Sequence, residues 1–147
     1  MYKILIIDDE ILIRELIKKS IDFNALGFEI VGEAKDGRQA MEMIEALNLL
    51  LLDINIPIIN GITLAQSVNK EYPEIQIIIL TGYSQFDYAK GAIEAGVLDY
   101  LLKPLNNSEF IKALSKAKDV LSNQNQIKKR YLIIRIRNYV WIKKNYF

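Results

Sequence analysis

The sequence predicts an α/β protein: a five-stranded parallel sheet covered by helices on both sides. Short runs rich in leucine and β-branched residues alternate with longer stretches of helical spacing over the first 120 residues. The short runs are apolar on both faces instead of alternating with polar residues, as strands must be when helices cover both sides of a sheet. Polar residues then gather just beyond the runs, where such sheets place their ligands.

Taken in order, the strands are Tyr2 to Ile7, Glu29 to Ala34, Leu49 to Asp53, Gln76 to Leu80 and Leu98 to Leu102. All are of strand length. The intervening helices are expected at about 11–21, 37–47, 61–71, 84–95 and 107–122. Gly27, Gly37, Gly61, Gly82 and Gly96 punctuate the joins. Right-handed crossovers through the helices keep the strands parallel. Only Asn48 separates the second helix from the third strand, shorter than the usual connection. Either that helix ends early or Leu49 is loop.

Composition removes several chemistries. The 147 residues contain no cysteine, hence no disulfide or thiolate site, and no histidine, hence no Ser/His or Cys/His nucleophile pair. Carboxylates, hydroxyls and lysine remain. The N-terminal apolar run, Ile4 to Ile7, is too short for a secretory signal, and no run has the length of a membrane span. The chain is therefore expected to be cytoplasmic, with no membrane partner. The formal charge of +1 hides a division: all 18 acids precede residue 128, against 12 basic residues, while the last twenty residues hold seven basics and no acid. This split predicts a domain over 1–122 and a basic, aromatic tail over 123–147.

At the carboxyl ends of the strands stand Asp8 and Asp9, Asp53, Thr81 and Lys103. Three gathered carboxylates repel one another unless a cation lies among them. Mg2+ suits such a set, because it takes hard oxygen ligands and keeps several waters. Lys103 supplies a compact positive charge for a phosphoryl oxygen, and Thr81 a hydroxyl donor. With its charge offset, a carboxylate can act as a nucleophile toward phosphorus. Asp53, ending the central LLLLD run, is the choice for that role. Singly, each residue has a plainer reading: Asp8 and Asp9 as a helix start, Asp53 as a solvated cap, Thr81 as a turn residue, Lys103 as a solvated lysine. Their joint placement at one sheet edge favours the site.

The segments IIDDE, LLLLDINIPIINGI, ILTGY and DYLLKPL together resemble the receiver domain of two-component response regulators, from residue 2 to about 122. LGFEIVGEAKDG and the stretch from Gly82 to Phe110 are most similar to receivers that precede an AraC-type DNA-binding output. The resemblance implies a flavodoxin-like, doubly wound sheet of order 2-1-3-4-5. It implies a phosphorylation-activated signalling switch and not an enzyme, in which a sensor histidine kinase transfers a phosphoryl group to Asp53. Asp8, Asp9, Asp53 and the backbone carbonyl of Asn55 would bind the metal. Lys103 would contact the phosphoryl group, and Lys103–Pro104 would be a cis peptide. Thr81 would move toward the phosphoryl group and Tyr100 would turn inward behind it, while Gly82 leaves access for a phosphodonor. Asn55 and Tyr83 match positions that tune phosphoryl lifetime. A homodimer would form through the fourth helix, fifth strand and fifth helix, with Phe86, Tyr88 and Ala89 candidates for that face. DNA would be contacted only through an output domain, which this chain is expected to lack.

Other phosphate chemistries fit less well. There is no GxxxxGK[ST] loop and no GxGxxG opening the first helix. A Mg2+-dependent phosphohydrolase would need an acid two residues beyond its nucleophile, where Asn55 stands. The tail, YLIIRIRNYVWIKKNYF, reads at period two, with Ile134, Ile136, Val140 and Ile142 on one face, a pattern for a strand. Its basic and aromatic residues leave a minor reading as a nucleic-acid contact.

Overall fold

Alternate residues of each strand enter two separate apolar layers. Leu5, Ile7, Leu50, Leu52, Ile77 and Ile79 point to one side of the sheet, and Ile4, Ile6, Leu49, Leu51, Ile78 and Leu80 to the other. All twelve are buried. This is a computed structural model that describes residues 1–82, 91, 94 and 96–146. The strands are β1 (Tyr2–Ile7), β2 (Phe28–Ala34), β3 (Leu49–Asp53), β4 (Gln76–Thr81) and β5 (Asp99–Leu102). They pair in parallel, as the sequence predicts, and in the order β2-β1-β3-β4-β5 that the receiver resemblance implies.

Helices α1 (Ile11–Ser20), α2 (Gly37–Glu42) and α3 (Gly61–Glu71) follow the first three strands. Ile17 of α1 shares the second apolar layer with Phe110, Ala113, Leu114, Ala117 and Leu121 of the C-terminal helix. Ala40 of α2 and Leu64, Ala65 and Val68 of α3 fill the first. Asp36 caps α2 by accepting from Gln39 N–H, and Asn60 caps α3 by accepting from Thr63 N–H. The predicted fourth helix, with Tyr83, Phe86, Tyr88 and Ala89, falls largely outside the described residues.

The short join at Asn48 is resolved by an early end to α2, at Glu42 instead of residue 47. Leu49 belongs to β3, in register with Ile4. Residues 43–48 form a turn in which Ala46 takes a φ of 60°. Asn48 replaces the missing linker by clipping the strand starts together: its side-chain oxygen accepts from Lys3 N–H at 2.7 Å, its N–H donates to Lys3 O, and its carbonyl accepts from Gln76 N–H. The side chain supplies hydrogen bonds that a longer loop would take from its own backbone.

The tail is a correction. It is no strand: one helix runs unbroken from Asn107 to Tyr146. Its start is capped by Asn106, whose side chain accepts from Glu109 N–H. No proline or glycine follows Pro104, so nothing interrupts a helix once it is nucleated. Period-two patterning could act only if a sheet edge received the segment, and the described contacts give it none. Among the described residues no helix is long and apolar enough to cross a membrane.

Candidate functional site

The carboxyl edge of the sheet collects the predicted residues because each follows its strand directly. Asp8 lies just beyond β1, Asp53 and Thr81 are the last residues of β3 and β4, and Lys103 follows β5. Asp8, Asp53 and Thr81 are buried, while Asp9 is exposed. One carboxylate oxygen from each of Asp8, Asp9 and Asp53 lies within 4.8 Å of the others. Such a cluster, two of its members buried, is the donor set a hard divalent cation takes.

Lys103 is the hub of the charge arrangement. Its Nζ donates to Asp8 Oδ2 at 2.9 Å and lies 3.5 Å from Asp53 Oδ2. Burial alone would lower the lysine's pKa, but the Asp8 hydrogen bond and the Asp53 charge outweigh it and raise the value above the ordinary one. Asp53 behaves oppositely for a carboxylate in an ion pair. Its burial pushes the pKa up, the Lys103 charge pulls it down, and the neighbouring Asp8 charge adds to the rise, so the value ends above the usual range. The distances explain the inequality: Lys103 gives its short bond to Asp8 and leaves Asp53 the longer one. A carboxylate buried and under-compensated in this way gains from an added cation.

Several further contacts hold the edge. Asp8 Oδ1 accepts from Glu10 N–H at 2.9 Å, and Asp53 Oδ1 accepts from Asn55 N–H at 3.3 Å. Thr81 Oγ1 lies 3.2 Å from Gly82 O, and Thr81 O accepts from Lys103 N–H at 2.7 Å, so β4 and β5 stay paired up to the lysine. The Lys103–Pro104 peptide is cis. Tyr100 lies half-buried on β5 and packs against the first apolar layer. A Cβ added to Gly82 would meet nothing within 4 Å.

Two supporting residues carry no motif that names them. Arg14 donates from Nη1 to the backbone carbonyl of Asp8 at 2.6 Å, and its Nε donates to Glu33 at 3.1 Å. It ties the turn after β1 to β2 through α1. Gly61 opens α3 under the β3 loop, where a Cβ would stand 2.5 Å from Asp53 O and 2.6 Å from Ile54 Cα. Only glycine permits that approach, and Gly61 N–H donates to Ile54 O at 2.8 Å across it. The sequence marks Gly61 as a join but does not show the closeness. On the exposed rim, Ile58 adopts a φ of 73°, a conformation that costs a β-branched residue strain.

An order of 2-1-3-4-5, with acids after β1 and β3, a threonine after β4 and a lysine after β5, defines a class of domain, and the chain belongs to it. The model of the response regulator receiver domain family matches residues 4–115. This chain is a receiver domain of two-component response regulators. It is 36% identical over 132 residues to the transcriptional regulatory protein YesN of Bacillus subtilis, covering 88% of this chain and 36% of that protein. The transcriptional regulatory protein HptR of Staphylococcus aureus is 35% identical over 129 residues, covering 86% and 50%. Among solved structures, the receiver domain of AraT from Geobacillus stearothermophilus aligns with a TM-score of 0.79 at 39% identity, over 84% of this chain and 98% of that one. A two-component transcriptional regulator, AraC, from Clostridium phytofermentans aligns at 0.77 and 33%, over 85% and 98%. The chain spans between about a third and a half of the length of these curated relatives.

Proposed function

We propose that this receiver takes a phosphoryl group onto Asp53 from the histidine of a sensor kinase and so changes the surface it presents to a partner. The observation that supports this most is the sharing of Lys103 between Asp8 and Asp53. It leaves the central carboxylate near a positive charge yet under-compensated. An oxygen of Asp53 attacks phosphorus, the P–N bond to the donor imidazole breaks, and its electron pair leaves with the imidazole. The product on this chain is an acyl phosphate.

Asp8, Asp9, Asp53 and the carbonyl of Asn55 would hold a Mg2+ ion, which when bound supplies charge neutralisation at the phosphoryl oxygens. The chain's own residues do the rest. Lys103 exchanges its contact with Asp53 for one with a phosphoryl oxygen, as a mobile point charge can. Thr81 sits at the end of β4, from which its hydroxyl can reach the added group. Tyr100, two residues along from Leu102, the register partner of Thr81, is the aromatic that follows the threonine's movement. The phosphoryl group brings charge and strong acceptor oxygens that bias a pre-existing equilibrium between two arrangements.

The output surface is a dimer face that includes β5 and the first turns of the C-terminal helix. In a transcriptional regulator that dimer would position a DNA-binding output. Asn55 offers no carboxyl group to protonate a leaving alcohol, so turnover of an external phosphomonoester is not expected.

Intact-mass measurement tests this reading. Incubation with acetyl phosphate or phosphoramidate and Mg2+ should add one phosphoryl group that is labile to base and absent from Asp53→Asn. No adduct on the folded wild-type chain, or an undiminished adduct on Asp53→Asn, would overturn it.

A further inference from the structure

Asp8 and Asp9 are neighbours in the acidic cluster but are held in different ways. The Asp8 carboxylate is buried and engaged at both oxygens, Oδ1 by Glu10 N–H and Oδ2 by Lys103 Nζ, each at 2.9 Å. The Asp9 carboxylate belongs to an exposed residue and accepts no hydrogen bond among the described residues. Its backbone is therefore what places it beside Asp8 and Asp53, above all the Asp8–Asp9 peptide that leads into it.

That peptide lies beyond the last rung of the sheet. β1 pairs with β3 only as far as Ile7, opposite Leu52, and Asp8 N–H makes the final bond to β2, at Ala34 O. The Asp8 carbonyl receives no backbone donor among the described residues. Arg14 supplies one from Nη1 at 2.6 Å. The guanidinium is itself held from behind: Nε donates to Glu33 Oε1 at 3.1 Å, and Glu33 lies on β2 in register with Ile6. The Arg14 side chain is only 14% exposed. A planar fork of donors suits this bridge, because two nitrogens meet two acceptors at a fixed angle.

Charge and geometry give Arg14 effects of opposite sign. As a bare positive charge near three carboxylates it opposes a bound cation, and its loss would tighten cation binding. As a clamp on the Asp8–Asp9 peptide it holds an otherwise unsupported ligand ready, so its loss would loosen binding, since the peptide would then be ordered only when the cation binds.

We infer that Arg14 is a positioning residue for the cation site: bridging the Asp8 carbonyl to Glu33, it fixes the peptide that presents Asp9 to a divalent cation. Arg14 acts through that peptide and not on the cation or the phosphoryl group. The inference rests on the reading of Asp8, Asp9 and Asp53 as ligands of the cation.

Titration of the full chain with Mg2+ alone tests it, read as the rise in melting temperature above each protein's own value in EDTA, from whose concentration dependence the affinity follows. The wild type should be stabilised saturably. Arg14→Met keeps the apolar stem and removes every donor; it should need about tenfold more Mg2+, as when a group that orients a metal ligand is lost. Arg14→Lys keeps the charge but has one nitrogen for two acceptors, and should fall between the two. Lys18→Met, which removes the other cation paired with Glu33 and leaves the Asp8 carbonyl untouched, should not weaken Mg2+ binding. In phosphorylation by acetyl phosphate, Arg14→Met should raise the half-saturating Mg2+ concentration far more than it lowers the rate at saturating Mg2+. Unchanged or tighter Mg2+ binding by Arg14→Met overturns the inference and leaves Arg14 a structural tie, seen only as a lower melting temperature in EDTA. Should Arg14→Met not fold, Arg14→Lys decides, and wild-type affinity there overturns the inference. A wild type that Mg2+ does not stabilise overturns the ligand reading of the three acids, and this inference with it.

Discussion

The C-terminal helix contains two halves of opposite fate, and the exposed one is the more apolar: 11 of residues 127–146 are apolar against 7 of residues 107–126. In the first, Phe110, Ala113, Leu114, Ala117 and Leu121 are all buried against the sheet. In the second, Ile127, Ile134 and Trp141 are at least 56% exposed. Charge differs between them, since the second half holds seven basic residues and no acid, but apolar content does not explain which half is buried. An opposing surface decides it: the first half shares an apolar layer with Ile4, Ile6, Leu51 and Ile78 of the sheet, and among the described residues the second half has no such layer. Hydrophobicity supplies a driving force, but a core needs a partner surface to remove the area from water.

The comparison sets a ranked series of tests. Phe110→Ala should cost the most, about 3 to 5 kcal/mol, read by denaturant unfolding, because the ring is fully buried and packs edge-on against Phe23 at 5.8 Å. Lys103→Met comes next, at about 2 kcal/mol, since it strips the shared cation from two buried carboxylates. Added Mg2+ should recover much of that loss by binding the folded state. Gly61→Ala should cost about 1 to 3 kcal/mol, because a Cβ there collides with the backbone of Asp53 and Ile54. The same change should slow phosphorylation by acetyl phosphate, since the collision displaces the residue that would receive the group.

Asp53→Asn should act in the opposite direction. The folded chain holds the Asp53 carboxyl above its ordinary value, chiefly through burial. The stability such a group contributes is complete below the unfolded carboxylate value, about 3.9, and is lost as pH rises through the higher folded value. At neutral pH the ionised side chain is therefore a net cost, and the neutral amide should raise the melting temperature slightly. That gain should shrink below about pH 4. A lower melting temperature at pH 7 would show that Lys103 more than offsets the burial.

The smallest expected effect lies in the exposed half. Ile134→Ala should change unfolding free energy by no more than about 0.5 kcal/mol in dilute solution, as for other exposed sites. Ile133→Pro should reduce helical circular dichroism through the extension without moving the main unfolding transition. A loss comparable to that of Phe110→Ala would show that the second half is covered after all.

Most of the architecture was legible in the sequence, for reasons that differ by element. LLLLD and IIIL read as buried strands because covered parallel strands require apolar residues on both faces, and the site was legible because its polar residues each directly follow a strand. The helix-to-strand join at Asn48 was legible only as a discrepancy; its hydrogen bonds to Lys3 and Gln76 bridge residues far apart in the chain. Arg14 and Gly61 were missed as site residues for the same reason. The tail was misread because Ile134, Ile136, Val140 and Ile142 repeat at period two, and that repeat has force only beside a sheet edge.

The sequence by itself determined the strand and helix order, the presence of a clustered carboxylate site with its lysine, and the charge division between body and tail. These follow from local periodicity and from which residues end each strand, both properties of nearest neighbours in the chain. Tertiary structure alone decided that Lys103 binds Asp8 more closely than Asp53, that α3 must begin with a glycine to pass under β3, and that half of a long helix is covered by no surface among the described residues. Each of these depends on distances between residues tens of positions apart, which are set only when the sheet and its helices pack.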